Sequence, residues 1–162
     1  AGDELHFPPN LFVKTFDMLK DENFSITVHA GEWDGPDNIR NAMHLLHPSR
    51  LGHGVRSIED SKLVQEIIDK DIYLETCPTS NIATKIYESY EAHPVKKLFD
   101  AGVKVTVNSD DPPFFNATIE GEYQVMKDLG LNDLQLVSLT RNAINSSFCD
   151  NETKNKLLVK LD

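Results

Sequence analysis

The chain has 162 residues, with 26 acidic against 16 basic side chains and a formal net charge of -10. That is long enough to bury a real core as one domain. The acidity argues against nucleic acid and anionic membranes as partners but leaves room for a small neutral substrate.

Pro8-Pro9 opens a helix whose apolar residues are Leu11, Phe12, Phe16 and Leu19, and which turns polar at Lys20. Residues 24–28 alternate as a strand that stops at His29. Gly35-Pro36 then opens a helix to about Leu46. Arg50-Leu51-Gly52-His53 reads as a short strand, and residues 58–70 as a helix with Leu63, Val64, Ile67 and Ile68 on one face. A third strand runs from Asp71 to Thr76, followed by a loop over residues 78–92 with room for a short helix. His93-Pro94 starts a helix that Gly102 closes, and residues 103–107 alternate as a fourth strand. After Pro112-Pro113 the pattern is helical to the end, with breaks at Gly130, Asn132 and Asp150. Strands alternating with helices predict an α/β fold with a parallel sheet. No apolar run reaches the ~20 residues that cross a bilayer, so no transmembrane helix is expected. Cys77 and Cys149 are the only cysteines and form no Cys-x-x-Cys pair. With no disulfide framework, a reducing, cytoplasmic compartment is expected.

Four short clusters close these strands: His29-Ala30-Gly31-Glu32, Gly52-His53-Gly54, Thr76-Cys77-Pro78-Thr79-Ser80-Asn81 and Ser109-Asp110-Asp111-Pro112. His29 could bind a metal through a neutral ring nitrogen, and Glu32 could move a proton beside it. The alternative is a hydrogen-bonded histidine and a solvated acid. His53 between two glycines is accessible but equally at home in a tight turn. Asp110 and Asp111 could divide cation binding and substrate contact, or simply cap a helix before the prolines. The Thr76–Asn81 stretch reads first as a turn and second as a pocket wall. Cys77 has no partnering base and reads as a small packing residue. His6, His44, His47 and His93 have structural explanations and are left out of the site.

The joint pattern carries more than its parts. Imidazoles and carboxylates from the ends of successive strands match a hydrolytic metal site at the mouth of a β/α barrel. In these four ordered motifs the sequence resembles the adenosine deaminase family of metal-dependent amidohydrolases, over essentially its whole length. His53 follows His29 by 24 residues and Asp110 follows it by 81, as in that family. The resemblance implies one Zn2+ per active site, with His29 and Asp110 as ligands. It implies that Asp110 helps deprotonate the attacking water, His53 orients that water, and Glu32 protonates purine N1. Asp111 would hydrogen-bond N7, and the backbone of Gly2 would face N3. The expected reaction is hydrolysis of adenosine, and of 2'-deoxyadenosine, to the inosine nucleoside and ammonia in purine salvage. Adenine deaminase, or another 6-aminopurine deaminase, is the alternative within the family. A non-catalytic nucleoside-binding or signalling member, or a different metal hydrolase on the same barrel, are alternatives of other classes.

One departure matters. The family's first strand supplies two further zinc ligands from a His-x-His pair, and no such pair occurs here. A complete β/α barrel needs about 250 residues, and the chain begins without Met at Ala1-Gly2-Asp3-Glu4. Residues 1–162 are therefore expected to form a partial catalytic barrel domain. It would be the C-terminal half of a TIM-type (β/α)8 barrel, strands five to eight plus a helical tail. It would need the N-terminal half for activity.

Overall fold

The structure, a computed structural model, describes residues 2–161. A turn of 3-10 helix at Pro9–Leu11 leads into α1 (Val13–Asp21), β1 (Thr27–Ala30), α2 (Pro36–Leu46) and β2 (Arg50–His53). There follow α3 (Ser61–Asp69), β3 (Tyr73–Thr76), α4 (Pro78–Ala83), α5 (Val95–Asp100) and β4 (Val105–Val107). The tail is α6 (Pro112–Phe115), α7 (Ile119–Asp128), α8 (Asp133–Ser146) and α9 (Asn151–Leu158).

The four strands form one parallel sheet in the order β1-β2-β3-β4. Each strand joins its neighbour through a helical crossover, as parallel pairing demands. Alternation puts Ala30, Leu51, Leu74, Val105 and Val107 on the face covered by helices. There they meet Ile39, Met43, Leu63, Ile67, Leu98 and Leu139 in a single apolar core. The opposite face carries Thr27, His29, Gly52, Glu75 and Thr106. On it, Thr27 donates to Glu75 at 2.5 Å, and Arg50 lies 3.2 Å from the same carboxylate. This is half a β/α barrel. Its edge strands β1 and β4 each have one neighbour, and in the segment that precedes β1 the apolar Leu5, Phe7, Leu11, Met18 and Phe24 are exposed.

Several boundaries differ from expectation. The first strand starts at Thr27 because pairing with β2 begins there, and Asn23 turns the chain with φ of 58°. Expected helix 58–70 divides into a 3-10 turn (Val55–Glu59) and α3. Asp60 stands between them and accepts the N–H groups of Lys62 and Leu63. In the third strand, Asp71 is a left-handed turn residue (φ 57°) and pairing starts at Tyr73. The expected tail breaks are helix caps: Asn132 forms a reciprocal capping box with Gln135, and Asp150 caps α9. Asn116, with φ of 51°, adds a break that the sequence pattern does not announce.

Candidate active site

The C-terminal ends of the strands bring Glu32, His53 and Asp110 together. His53 ends β2 and is almost fully buried, while Glu32 lies in the loop after β1 and Asp110 in the loop after β4. The Nε2 of His53 is 3.5 Å from Glu32 Oε2 and 3.8 Å from Asp110 Oδ2. Both His53 (φ 61°) and Asp110 (φ 55°) have left-handed backbone, a conformation that costs free energy in non-glycine residues and clusters at functional sites.

His29 lies on the open face of β1, its ring centroid 5.3 Å from that of His53. It can lie there because the neighbouring residue is Gly52. A Cβ on Gly52 would stand 3.1 Å from the imidazole. A cleft of about 350 Å3 is lined by His29, Gly52, His53, Cys77, Asn108 and Asp110. A larger hollow of about 510 Å3 at the other end of the strands, between Ser49, Tyr73 and Phe148, has no comparable grouping of acids and imidazoles.

The surroundings set the protonation states. Burial, reinforced by Asp110 and Glu4, raises the Glu32 carboxyl to about 7. Burial, with His29 nearby, pushes His53 down to about 4, so it is neutral at physiological pH. His29 is also lowered, first by desolvation. Ser80 holds Asp110 by donating its hydroxyl to Oδ2 at 2.7 Å. The site thus contains an acid poised near neutrality, two neutral imidazoles and a fixed carboxylate, which suits proton transfer beside a polarised water.

Asp111 and Gly2 stand outside this convergence. Asp111 is exposed at the start of α6, where its backbone carbonyl accepts from Phe114 and Phe115. Gly2 is exposed, with φ of 93°.

The structure adds residues that the sequence reading left out. Glu4 is buried, and its carboxylate accepts the N–H groups of Trp33 at 3.0 Å and Asp34 at 2.8 Å, pinning the loop that carries Glu32. Asn81 sits between Glu32 Oε1 and His53 Nδ1, its amide nitrogen 3.3 Å from each. His93 is buried behind it, with Nε2 3.1 Å from Asn81 Oδ1. Asn81 was inside a noted motif, but His93 gave no local signal beyond preceding Pro94. Cys77 packs against the cluster, and burial raises its thiol pKa, so it is no thiolate nucleophile. His44 pairs with Glu66 away from the site, and His47 ends α2 in left-handed conformation.

The donor set suits zinc in kind, since neutral imidazole and carboxylate are both zinc ligands. It falls short in number. Among the described residues, one group of three potential ligand atoms lies within 4.8 Å of one another, contributed by His53, Cys77 and Asp110. His29 is not part of it. A catalytic zinc takes three protein ligands and an open position, so His29 and Asp110 alone do not complete one.

The family model for adenosine deaminase matches residues 1–162. The chain is 41% identical over 162 residues to an adenine deaminase of Sinorhizobium medicae, covering 99% of this chain and 50% of that protein. It thus spans about half the length of the curated relatives it matches. A crystal structure of adenine deaminase from Arthrobacter aurescens superposes with a TM-score of 0.95 at 30% identity, covering 99% of this chain and 50% of the other. A Burkhoderia ambifaria amidohydrolase with bound Zn superposes with a TM-score of 0.91 at 25% identity, covering 99% of this chain and 46% of the other. No helix among the described residues is long and apolar enough to cross a membrane.

Proposed function

Because this chain belongs to the adenosine deaminase family, we propose that it is the C-terminal half of the catalytic barrel of a zinc-dependent hydrolase that deaminates a 6-aminopurine. Adenine is the first substrate to test, on the names of the relatives just described. Adenosine, first in the sequence reading, is the second, since a ribose would be housed by the half of the barrel not present here. The observation that carries the reading is the approach of Glu32 and Asp110 to the same nitrogen, His53 Nε2, with Glu32 raised to about 7.

In this reading His29 and Asp110 would hold the zinc together with ligands from the other half. When bound, zinc lowers the pKa of a water to about 7 and so provides a nucleophile at neutral pH. Asp110, kept in place by Ser80, would accept a proton from the attacking water. His53 directs the water through Nε2. Glu32, protonated below about pH 7, gives its proton to purine N1. The ring nitrogen then takes up the electron pair displaced as oxygen bonds to C6. The C6–N6 bond breaks as the amino group takes the proton held by Asp110 and leaves as ammonia, while the new C6 hydroxyl returns its proton to the Glu32 carboxylate and becomes the carbonyl. Asp111 would reach N7, carrying a proton itself or sharing a water, and the backbone of Gly2 would face N3.

The test is ammonia release by the complete protein with zinc, comparing adenine and adenosine by kcat/KM. Turnover of either supports the deaminase reading, and the ratio assigns the substrate. A zinc-loaded protein that releases ammonia from neither overturns it.

A further inference from the structure

His93 lies 40 residues from His53 in sequence and touches neither carboxylate of the cluster. It is nonetheless tied to them by a short run of hydrogen bonds whose polarity can be worked out from one end. The backbone N–H of Val95, the first residue of α5, points at His93 Nδ1 at 3.2 Å. A backbone N–H can only donate, so Nδ1 is an acceptor and carries no proton. The remaining proton of the neutral ring is on Nε2, which faces Asn81 Oδ1 at 3.1 Å. Burial keeps the ring neutral, lowering His93 to about 3, and Tyr87 packs edge-on against it at 4.9 Å.

With its oxygen engaged, Asn81 has only its NH2 group to offer in the other direction. That group meets His53 Nδ1 and Glu32 Oε1, each at 3.3 Å. His53 Nδ1 is therefore an acceptor as well, and its proton is on Nε2, the nitrogen that faces Glu32 and Asp110. The same amide occupies Oε1 of Glu32 and leaves Oε2 to carry the acid proton.

We infer that His93 is a positioning residue for this site: through Asn81 it fixes His53 as the Nε2–H tautomer and orients the Glu32 carboxyl. Second-layer hydrogen bonds commonly set a histidine's tautomer in this way. The catalytic consequence rests on the deaminase reading above, whereas the tautomer does not. An Nε2–H imidazole donates toward the attacking oxygen, and the opposite tautomer would present a lone pair there.

His93 also caps α5 through Val95, so the variants must separate capping from relay. His93→Asn keeps a short side chain able to accept the Val95 N–H but too short to reach Asn81. His93→Gln has the length to donate to Asn81. In the complete protein with 15N-labelled histidine, side-chain proton–nitrogen correlation spectra report the His53 tautomer, with the resonance assigned by its loss in His53→Asn. We expect Nε2–H in the wild type, a mixture of tautomers in His93→Asn and recovery in His93→Gln. Alongside, kcat in His93→Asn should fall about 10- to 100-fold with zinc content unchanged and KM moved far less. Nδ1–H in the wild type, or a His93→Asn variant with unchanged tautomer or unchanged kcat, overturns the inference. A wild type that releases no ammonia from any 6-aminopurine refutes the deaminase reading instead, and the spectra then decide the relay alone.

Discussion

The two faces of the sheet are built on different principles. The helix-covered face is apolar and complete, with Leu51, Leu63, Ile67, Leu74, Leu98 and Val105 fully buried among themselves. The bare face is polar and unfinished. His29 is exposed, Glu75 and Arg50 pair across strands, and the cleft is open where a full barrel would have further strands. The packing of the covered face is therefore local to this chain, whereas the proposed chemistry is shared with residues outside it. One face follows from hydrophobic burial alone, and the other from where the strand ends place charged and titratable groups.

The strongest break would be activity in the isolated chain. Purified, mass-verified 1–162 with added zinc is expected to release no ammonia from adenine or adenosine and to bind zinc poorly. It is also expected to dimerise or aggregate through its open strand edges and exposed apolar residues. Robust turnover would mean that the bare face needs no partner.

Next in size is Glu32→Gln in the complete protein. It should keep its zinc and lose about 10^2- to 10^4-fold in kcat, since it removes the acid while preserving shape. Its melting temperature should not fall, because a buried carboxyl is replaced by a neutral amide. Metal analysis with steady-state kinetics would settle the matter, and near-normal kcat with zinc bound contradicts the role.

The covered face should answer in the opposite way. Leu63→Ala is expected to cost about 2–5 kcal/mol of stability, read from denaturant unfolding. Below its transition, its kcat should equal that of the wild type. A large kcat loss in the folded variant would show that the two faces are energetically coupled.

The pH profile probes the bare face alone. Glu32 must be protonated to act, and it is raised to about 7 by burial and by its neighbours Asp110 and Glu4. Activity should therefore fall above pH 7, by about tenfold per unit once Glu32 is ionised. The stability linkage has the same sign. The contribution from the raised carboxyl is present in full below its ordinary value near 4.5 and is lost as pH rises through about 7. A flat rate profile from pH 6 to 9 would remove Glu32 as the acid.

The smallest effect separates the adjacent aspartates. Asp111→Asn should retain zinc, lose about tenfold or less in kcat/KM, as for one hydrogen bond, and discriminate less against 7-deaza analogues. Asp110→Asn should lose zinc as well as rate. Equal zinc loss in both would erase the distinction.

The covered face was largely legible in the sequence because it follows periodicity. Arg50–His53 and the helix from Pro36 to Leu46 match the expected bounds. Boundaries slipped where a local polar contact outranked the pattern, as where Asp60 caps α3 and ends the preceding turn. The convergence of Glu32, His53 and Asp110 was legible because each follows a strand end, and topology brings strand ends together. Glu4, Asn81 and His93 were not assigned to it. Glu4 acts through a hydrogen-bonded loop 28 to 30 residues away, and His93 through an amide 12 residues away. No periodicity in a single sequence encodes which buried polar group will satisfy which other.

The left-handed backbone at His53 and Asp110 has a practical consequence for mutagenesis. Asn, Asp, His and Gly are the residues best suited to such positions, while an ordinary side chain adds about 1–2 kcal/mol of backbone strain. An alanine scan would therefore report distortion and lost chemistry as one number at the two positions of greatest interest. Asparagine changes the functional group while keeping the backbone, so it is the cleaner probe at both, and libraries at 53 and 110 drawn from a wide alphabet will mostly sample strained loops.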